Sequence, residues 1–381
     1  MIRATIFLLG LWLAVPLWGL DTVVWKETED AAERRTVGRT LVVAQDGGLL
    51  LQERTGEIHA IEPQMIVRAT RNSKPFVPMT REEVAEVFRE RLPEDFAVHT
   101  TAHYTIFYNT SQDYARWCGQ LMERLYSTFQ NFWAKRDYEL PEPEFPLIVI
   151  VFSHPREYRE YAREEVGEVG DTIIGYYSYK TNRIVCSDLS GQETYGTQRP
   201  ATMTMGAITR EILSRPQAVK QVATIIHEAT HQIAYNRGLC ARYGDVPLWF
   251  NEGIAMYFEA PDIRSDKGWR AIGKINPLRY STFMDSLSNY SPGFLRKMLT
   301  DDDVFRRSET SGEAYAQAWA LTWFLLKTRQ KDYIRYAQQF SEKKMLVWDS
   351  PEKRLMDVER IFGSVEKLES DFVRYMRKMR R

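Results

Sequence analysis

The chain has 381 residues, of which 44% are hydrophobic and 13% aromatic, which is too much apolar material for a disordered protein and enough for a sizeable core. Its 51 Lys and Arg residues balance its 51 Asp and Glu residues, so the formal net charge is zero. This balance lacks the basic excess of proteins that bind nucleic acid, and we exclude that class of partner.

The N-terminus resembles a secretory signal. Arg3 precedes an uncharged apolar run from Ala4 to Trp18, which is shorter than the roughly 20 residues of a membrane-spanning helix. Such a run is typical of a signal peptide, so we predict one over residues 1–20 and an exported, periplasmic or extracellular protein. No stable membrane insertion is expected after cleavage. An uncleaved anchor is the alternative.

Three cysteines are too few for a disulfide framework, and the odd number leaves at least one of them unpaired within the chain. The sequence does not select a pair, and buried small hydrophobic residues are the other interpretation. The three are Cys118, Cys186 and Cys240.

The first half of the chain predicts a β unit and then an alternating α/β segment. Residues 21–75 contain short apolar runs separated by Gly-containing turns, which indicates a small β domain. Residues 76–95 predict a linker helix, because Thr80 and Glu83 form a capping box. Residues 96–195 alternate between strand and helix patterns, and residues 196–381 are mostly helical. The predicted fold class is α+β.

The most informative segment is a predicted helix that begins at Pro216 and ends before Gly238. It contains His227-Glu228-Ala229-Thr230-His231. Residues four apart on a helix share one face, so the two imidazoles can bind one metal ion, and Glu228 can reach a water on that ion. This pattern is typical of metal-dependent hydrolases, with Glu228 as the catalytic base.

A third ligand is expected on a second helix. Glu252 follows His231 by 21 residues, within the helical segment LWFNEGIAMYFE, and a helix–loop–helix can bring its carboxylate to the two histidines. Two His and one Glu with an open fourth position form a catalytic zinc set. We therefore predict one Zn²⁺ per chain. The alternative is a chance match on a structural helix.

These two motifs resemble the gluzincin zinc peptidases, the superfamily of thermolysin and aminopeptidase N, and the layout is similar to its secreted bacterial members. The resemblance covers residues 216–330 and implies a peptidase domain over residues 96–381, with a helical zinc part over residues 196–381. The residues that match the aminopeptidase N pattern of the second motif are Trp249, Asn251, Glu252, Gly253, Ala255, Tyr257 and Glu259.

The resemblance also suggests further site residues. Tyr315, which we expect to open a helix 63 residues after Glu252, corresponds to a tyrosine that stabilises the oxyanion; a core aromatic is the alternative. Glu259 and Asn251 are candidates to support the ligands, although Glu259 also suits a solvated helix position. The segment Met203–Ile208 lacks the Glu-Asn pair with which aminopeptidases bind a free amino terminus.

The resemblance thus implies an exported zinc metallopeptidase that hydrolyses peptide or protein substrates. The alternatives are a catalytically silent binding or envelope protein with the same fold, and a hydrolase of another amide or ester. The sequence does not determine the substrate, the choice between endopeptidase and exopeptidase, the oligomeric state or the role of the β domain.

Overall fold

The computed structural model describes most of the chain, namely residues 19–171, 173–188, 216–259, 272–288 and 290–379. The chain divides into two compact units, Met1–Met79 and Thr80–Arg381. The fold is mixed α+β, with an N-terminal antiparallel sheet, a second sheet and a mostly helical C-terminal half, which confirms the predicted class. The predicted signal segment up to residue 18 and the segment Met203–Ile208 lie outside the described residues.

The first unit is a five-stranded antiparallel sheet with the strand order β4-β3-β2-β1-β5. Alternate residues of β1 and β2 are buried, as expected for a sheet with one covered face. Its small core contains Val23, Trp25, Leu51 and Ile61. The strands are β1 (Gly19–Trp25), β2 (Arg34–Val43), β3 (Leu49–Glu53), β4 (Ile58–Ile61) and β5 (Ile66–Pro75).

Strand β1 begins inside the segment predicted as a signal peptide. Gly19 pairs with Pro75 of β5, and Asp21 pairs with both Gly38 and Arg71. Cleavage after residue 20 would therefore remove the first two residues of β1 while leaving the pairing from Asp21 onward intact.

The second unit begins with helix α1, where Thr80 and Glu83 form the predicted capping box. A mixed sheet follows with the order β6-β7-β8-β10-β9. Its central strands β7, β8 and β10 are parallel and completely buried, and both edge strands are antiparallel. The strands are β6 (Ala97–Thr100), β7 (Tyr104–Tyr108), β8 (Leu147–Phe152), β9 (Gly175–Tyr177) and β10 (Arg183–Ser187).

The other regular elements that the structure describes in this unit are helices, and within the described residues none is both long and apolar enough to cross a membrane. Helix α4 packs against strands β9 and β10 and against α5, which in turn packs on α9. The helices are α1 (Arg81–Arg91), α2 (Gln112–Ala134), α3 (Pro155–Val166), α4 (Pro216–Asn236), α5 (Leu248–Phe258), α6 (Pro277–Ser288), α7 (Phe294–Thr300), α8 (Asp303–Arg306), α9 (Ser308–Thr328), α10 (Gln330–Gln338), α11 (Pro351–Phe362) and α12 (Val365–Met379).

All three cysteines are buried free thiols of this unit. Burial raises the pKa of the Cys186 thiol to about 12, and burial likewise raises the pKa of Cys118. Thiols that stay protonated at neutral pH are poor nucleophiles, so these residues act as small hydrophobic core residues.

Candidate metal centre

Helix α4 presents two histidines one turn apart on a buried face. His227 and His231 are 8% and 5% exposed, and their Nε2 atoms lie 3.1 Å apart. Apolar side chains at positions 222, 225, 226, 229 and 233 anchor this helix in the core. The imidazole pair is therefore held by a packed helix rather than by a loop, which limits its movement.

Helix α5 supplies the third candidate ligand, Glu252, and lies very close to α9. A Cβ atom added at Gly253 would overlap Thr322 Oγ1 and would lie 2.9 Å from the Ala318 carbonyl oxygen. Only glycine permits this approach. The backbone N–H of Leu248 at the start of α5 donates to Asp302 Oδ1 over 2.9 Å, so a side chain from outside the helix caps it.

The three donors converge on one point. Glu252 Oε2 lies 3.1 Å from His227 Nε2, and Glu252 Oε1 lies 3.6 Å from His231 Nε2. Tetrahedral zinc with bonds near 2.1 Å separates its donor atoms by about 3.4 Å. The spacing of these buried donors, together with their chemistry, therefore fits a single metal ion.

Glu259 supports the first histidine from behind. His227 Nδ1 donates to Glu259 Oε2 over 2.8 Å, which directs the Nε2 lone pair toward the ligand point. Although burial opposes it, the Glu252 and Glu259 carboxylates raise the pKa of His227, so binding of a metal ion would release a proton from this imidazole. Although burial again opposes it, the hydrogen bond from His227 and the charge of Arg279 lower the pKa of Glu259. The predicted alternative for Glu259, a solvated helix position, is wrong, because Glu259 is only 5% exposed.

A cavity of about 400 Å³ opens at the three donors. Glu228 lines it, and Glu228 Oε2 accepts a hydrogen bond from the backbone N–H of Tyr177 over 2.9 Å. Burial raises the pKa of Glu228 above its ordinary value, as suits a proton acceptor. The residues around the cavity are Tyr177, Tyr179, Thr224, His227, Glu228, His231, Glu252, Glu259, Arg279 and Tyr315.

Tyr315 lies in this cavity, but its place in the helix differs from the prediction. Helix α9 begins at Ser308, so Tyr315 lies two turns inside it rather than at its start. The polar residues Ser308–Gly312 form the first turns of α9. The charge of Glu252 and burial raise the pKa of Tyr315, so its phenol remains a hydrogen-bond donor at neutral pH.

Asn251 does not contact the donor set. Its Nδ2 donates to the hydroxyl of Tyr179 over 3.2 Å, and its side chain is buried. Asn251 therefore joins α5 to the β9–β10 connection and fixes a tyrosine of the cavity wall, whereas support of a ligand had been expected.

Two cavity features have no signal in the sequence. The backbone N–H of Tyr177 reaches Glu228 because the edge strand β9 packs on α4, a contact between residues 51 positions apart. Arg279 reaches the cavity because α6 packs on α9 and places the guanidinium beside Glu259. Both depend on tertiary packing, which no local spacing encodes.

A second possible metal group lies in the N-terminal unit, where Glu53, Glu57 and His59 approach one another. His59 Nε2 lies 2.8 Å from Glu53 Oε1 and its ring packs on Trp25. His59 lies in strand β4 and is buried. A His–Glu hydrogen bond accounts for this group without an ion.

Comparison with known proteins adds a partial match. A model of the family described as a protein of unknown function, DUF1570, matches residues 221–347, about a third of the chain. No curated protein matches the chain. The matched stretch contains His227, His231, Glu252, Glu259 and Tyr315, so most of the candidate centre lies within it, together with Arg279.

Proposed function

We propose that this chain is an exported zinc metallopeptidase whose zinc is held by His227, His231 and Glu252. The observation that carries the proposal is the convergence of three buried donors at 3.1–3.6 Å beside an open cavity. Two imidazoles and one carboxylate leave a fourth position for water, as catalytic zinc sites require. Export rests on the apolar N-terminal run alone.

His227, His231 and Glu252 would hold the zinc ion, which when bound would supply a Lewis acid and lower the pKa of water toward about 7. The protein supplies the proton acceptor. Glu228 projects into the cavity from the same helix as the two histidines, and the Tyr177 N–H holds one of its oxygens. The carboxylate can take a proton from the attacking water and pass it to the leaving amine, which is general acid–base catalysis.

Tyr315 supplies a hydrogen-bond donor on the cavity wall. Its phenol stays protonated, and among the described residues its hydroxyl has no hydrogen-bond partner. A fixed donor stabilises the negative charge that develops on the carbonyl oxygen in the transition state. Asn251 contributes indirectly, since its hydrogen bond positions Tyr179.

The Glu228→Gln variant tests the proposal. We expect it to retain bound zinc and to lose peptide hydrolysis by about 10²-fold to 10⁴-fold, because the amide cannot accept the proton. A mixed peptide library, analysed by mass spectrometry with metal content measured in parallel, gives both readouts. Glu160→Gln, at an ion-paired glutamate whose side chain is 66% exposed, is the matched control and should behave as wild type.

Hydrolysis by Glu228→Gln at the wild-type rate would remove Glu228 from the mechanism. A zinc-loaded wild-type protein that cleaves no peptide of the library would contradict the peptidase proposal. That second result would favour a catalytically silent binding protein.

A further inference from the structure

Arg279 is a cationic side chain on the wall of the candidate active site that the proposed mechanism does not use. It is the third residue of α6, its side chain is 33% exposed, and it lines the same cavity as the three donors. Its Nε donates to Glu259 Oε1 over 2.9 Å. The Glu259 carboxylate therefore links the guanidinium of Arg279 to the imidazole of His227.

The two terminal nitrogens of this guanidinium are available to a ligand. Within the part of the chain that the structure describes, the hydrogen bond to Glu259 uses Nε, and neither terminal nitrogen has an acceptor. Buried Arg354 differs, because its Nε and one terminal nitrogen bond to Asp245 and that same nitrogen also bonds to Asp302. In Arg237, one terminal nitrogen bonds to the Leu140 carbonyl and the other to Tyr126.

The guanidinium of Arg279 lies near Tyr315, the predicted oxyanion donor. The guanidinium carbon is 5.9 Å from the centroid of the Tyr315 ring. Among the described residues that line the cavity, Arg279 is the only Arg or Lys. A divalent ion at the donors would balance the charges of Glu228 and Glu252, and Arg279 balances the charge of Glu259. The cavity would then carry no net negative charge and would not repel an anionic ligand.

We propose that Arg279 binds a carboxylate of the substrate and makes this site selective for peptides that carry one near the cleaved bond. Two parallel terminal N–H groups match the two oxygens of a carboxylate, and this pairing is among the stronger hydrogen-bonded contacts in proteins. The carboxylate is either the C-terminus of the peptide or an Asp or Glu side chain. The proposal rests on the proposed peptidase function.

A purely structural role for Arg279 makes a different prediction. If Arg279 only holds Glu259, its removal weakens the support of His227 and affects every substrate equally. If Arg279 binds the carboxylate, its removal affects only substrates that carry one. Asn276 offers the matched control, because its Nδ2 donates to the same Glu259 oxygen over 2.8 Å and Asn276 is not among the described residues that line the cavity.

The experiment uses four pools of N-acetylated pentapeptides with the wild-type, Arg279→Gln, Arg279→Lys and Asn276→Ser proteins. The four pools combine two C-termini, a free acid or an amide, with either Glu or Gln at one position. Asn276 Oδ1 accepts hydrogen bonds from the backbone N–H groups of Leu278 and Arg279 at the start of α6. The Ser hydroxyl in Asn276→Ser can still accept from these groups. kcat/KM is measured for each pool.

We expect wild type to prefer one carboxylate-bearing pool by about tenfold to a hundredfold over its neutral partner. Arg279→Gln should lose this preference through a higher KM, Arg279→Lys should keep part of it, and Asn276→Ser should keep it fully. A preference for the free-acid pools identifies the chain terminus as the ligand, and a preference for the Glu-containing amide pool identifies a side chain. Equal kcat/KM for all four pools would overturn the proposal.

Binding separates this proposal from the function on which it rests. Isothermal titration of the Glu228→Gln protein with the same pools reports carboxylate affinity without turnover. Arg279-dependent binding together with no hydrolysis by wild type would remove the peptidase function but keep the carboxylate site. Hydrolysis by wild type together with equal binding of acid and amide peptides would keep the peptidase function but remove the carboxylate site.

Discussion

At the scale of single residues, Glu259 connects the candidate ligands to the rest of the protein. Its Oε2 accepts from His227, and its Oε1 accepts from Asn276 and Arg279. A carboxylate held by three such donors cannot rotate away from the imidazole. Residues in this position commonly control the orientation and basicity of a metal-binding histidine.

Removal of this carboxylate should weaken metal binding without unfolding the protein. We expect Glu259→Ala to lower zinc affinity by about tenfold to a hundredfold. Glu259→Gln should have a smaller effect, because the amide oxygen can still accept from His227. Competition with a chelator of known affinity measures the change. Wild-type affinity in both variants would show that Glu259 does not support the site.

The residues of the candidate site could be predicted only where the signal is local. The i, i+4 spacing indicated that His227 and His231 share a helix face, and the structure places their Nε2 atoms 3.1 Å apart. Glu252 was predicted from a second motif, and its carboxylate lies at the same point. Arg279 and the Tyr177 N–H could not be predicted, because each enters through packing between distant elements.

At the scale of elements, the position of Glu252 depends on how closely α5 approaches α9. Gly253, the residue after Glu252, faces Thr322 and the Ala318 carbonyl with no room for a side chain. Asp302 caps α5 and is itself held by Arg354. The position of the Glu252 carboxylate therefore depends on the packing of Gly253 against α9 and on the cap that Asp302 provides for α5.

Gly253→Ala should damage both stability and metal binding. The added methyl group must push α5 away from the α9 backbone, which we expect to cost about 1–3 kcal/mol and to displace Glu252. Gly312→Ala on α9 is the matched control, because a methyl group at that position would meet no atom within 4 Å, and it should be neutral or slightly stabilising. Urea unfolding and zinc titration of both variants provide the comparison, and equal behaviour would refute the packing argument.

Elements with strong local signals were predicted well. The capping box at Thr80 marks the start of α1, and the predicted alternation of strands and helices after residue 96 is present from β6 to β10. The start of α9 was predicted too late, because its first residues, Ser308 to Gly312, lack the apolar side chains that mark a packed helix face. Burial on one side of a helix depends on its neighbours, and those are not visible in a short window of sequence.

At the scale of the whole molecule, one carboxylate of α2 holds the connection between β6 and β7. Glu123 Oε1 accepts from the Thr101 hydroxyl and from the His103 backbone N–H, over 2.6 and 2.7 Å. Its Oε2 lies 2.7 Å from His103 Nδ1. Although burial opposes it, these hydrogen bonds lower the pKa of Glu123 below its ordinary 4.5.

This arrangement predicts a pH-dependent contribution to stability. A carboxyl whose pKa is lowered by folding contributes its full stabilisation above its unfolded pKa, and the contribution disappears as the pH falls through the folded value. We expect Glu123→Gln to reduce the free energy of unfolding by about 1–3 kcal/mol at pH 7. The difference from wild type should shrink below about pH 4.5, and a difference that grows there would contradict the assignment.

The α+β fold class could be predicted from the order of the sequence patterns: strand patterns come first, alternating strand and helix patterns follow, and helix patterns come last. Sheet order did not follow, because β10 lies between β8 and β9 and the pairing depends on contacts across the whole segment. The boundary between the two units at Met79 lies just before the capping box. The start of β1 at Gly19 was also not expected from the apolar N-terminal pattern.

The most direct test of the central claim is the zinc content of the purified protein, measured by mass spectrometry for wild type, His227→Ala and His99→Ala. His99 lies in β6, away from the candidate ligands, and controls for loss of a histidine as such. We predict about one zinc per chain in wild type and His99→Ala and little in His227→Ala. No zinc in wild type, even after incubation with added zinc, would contradict the account.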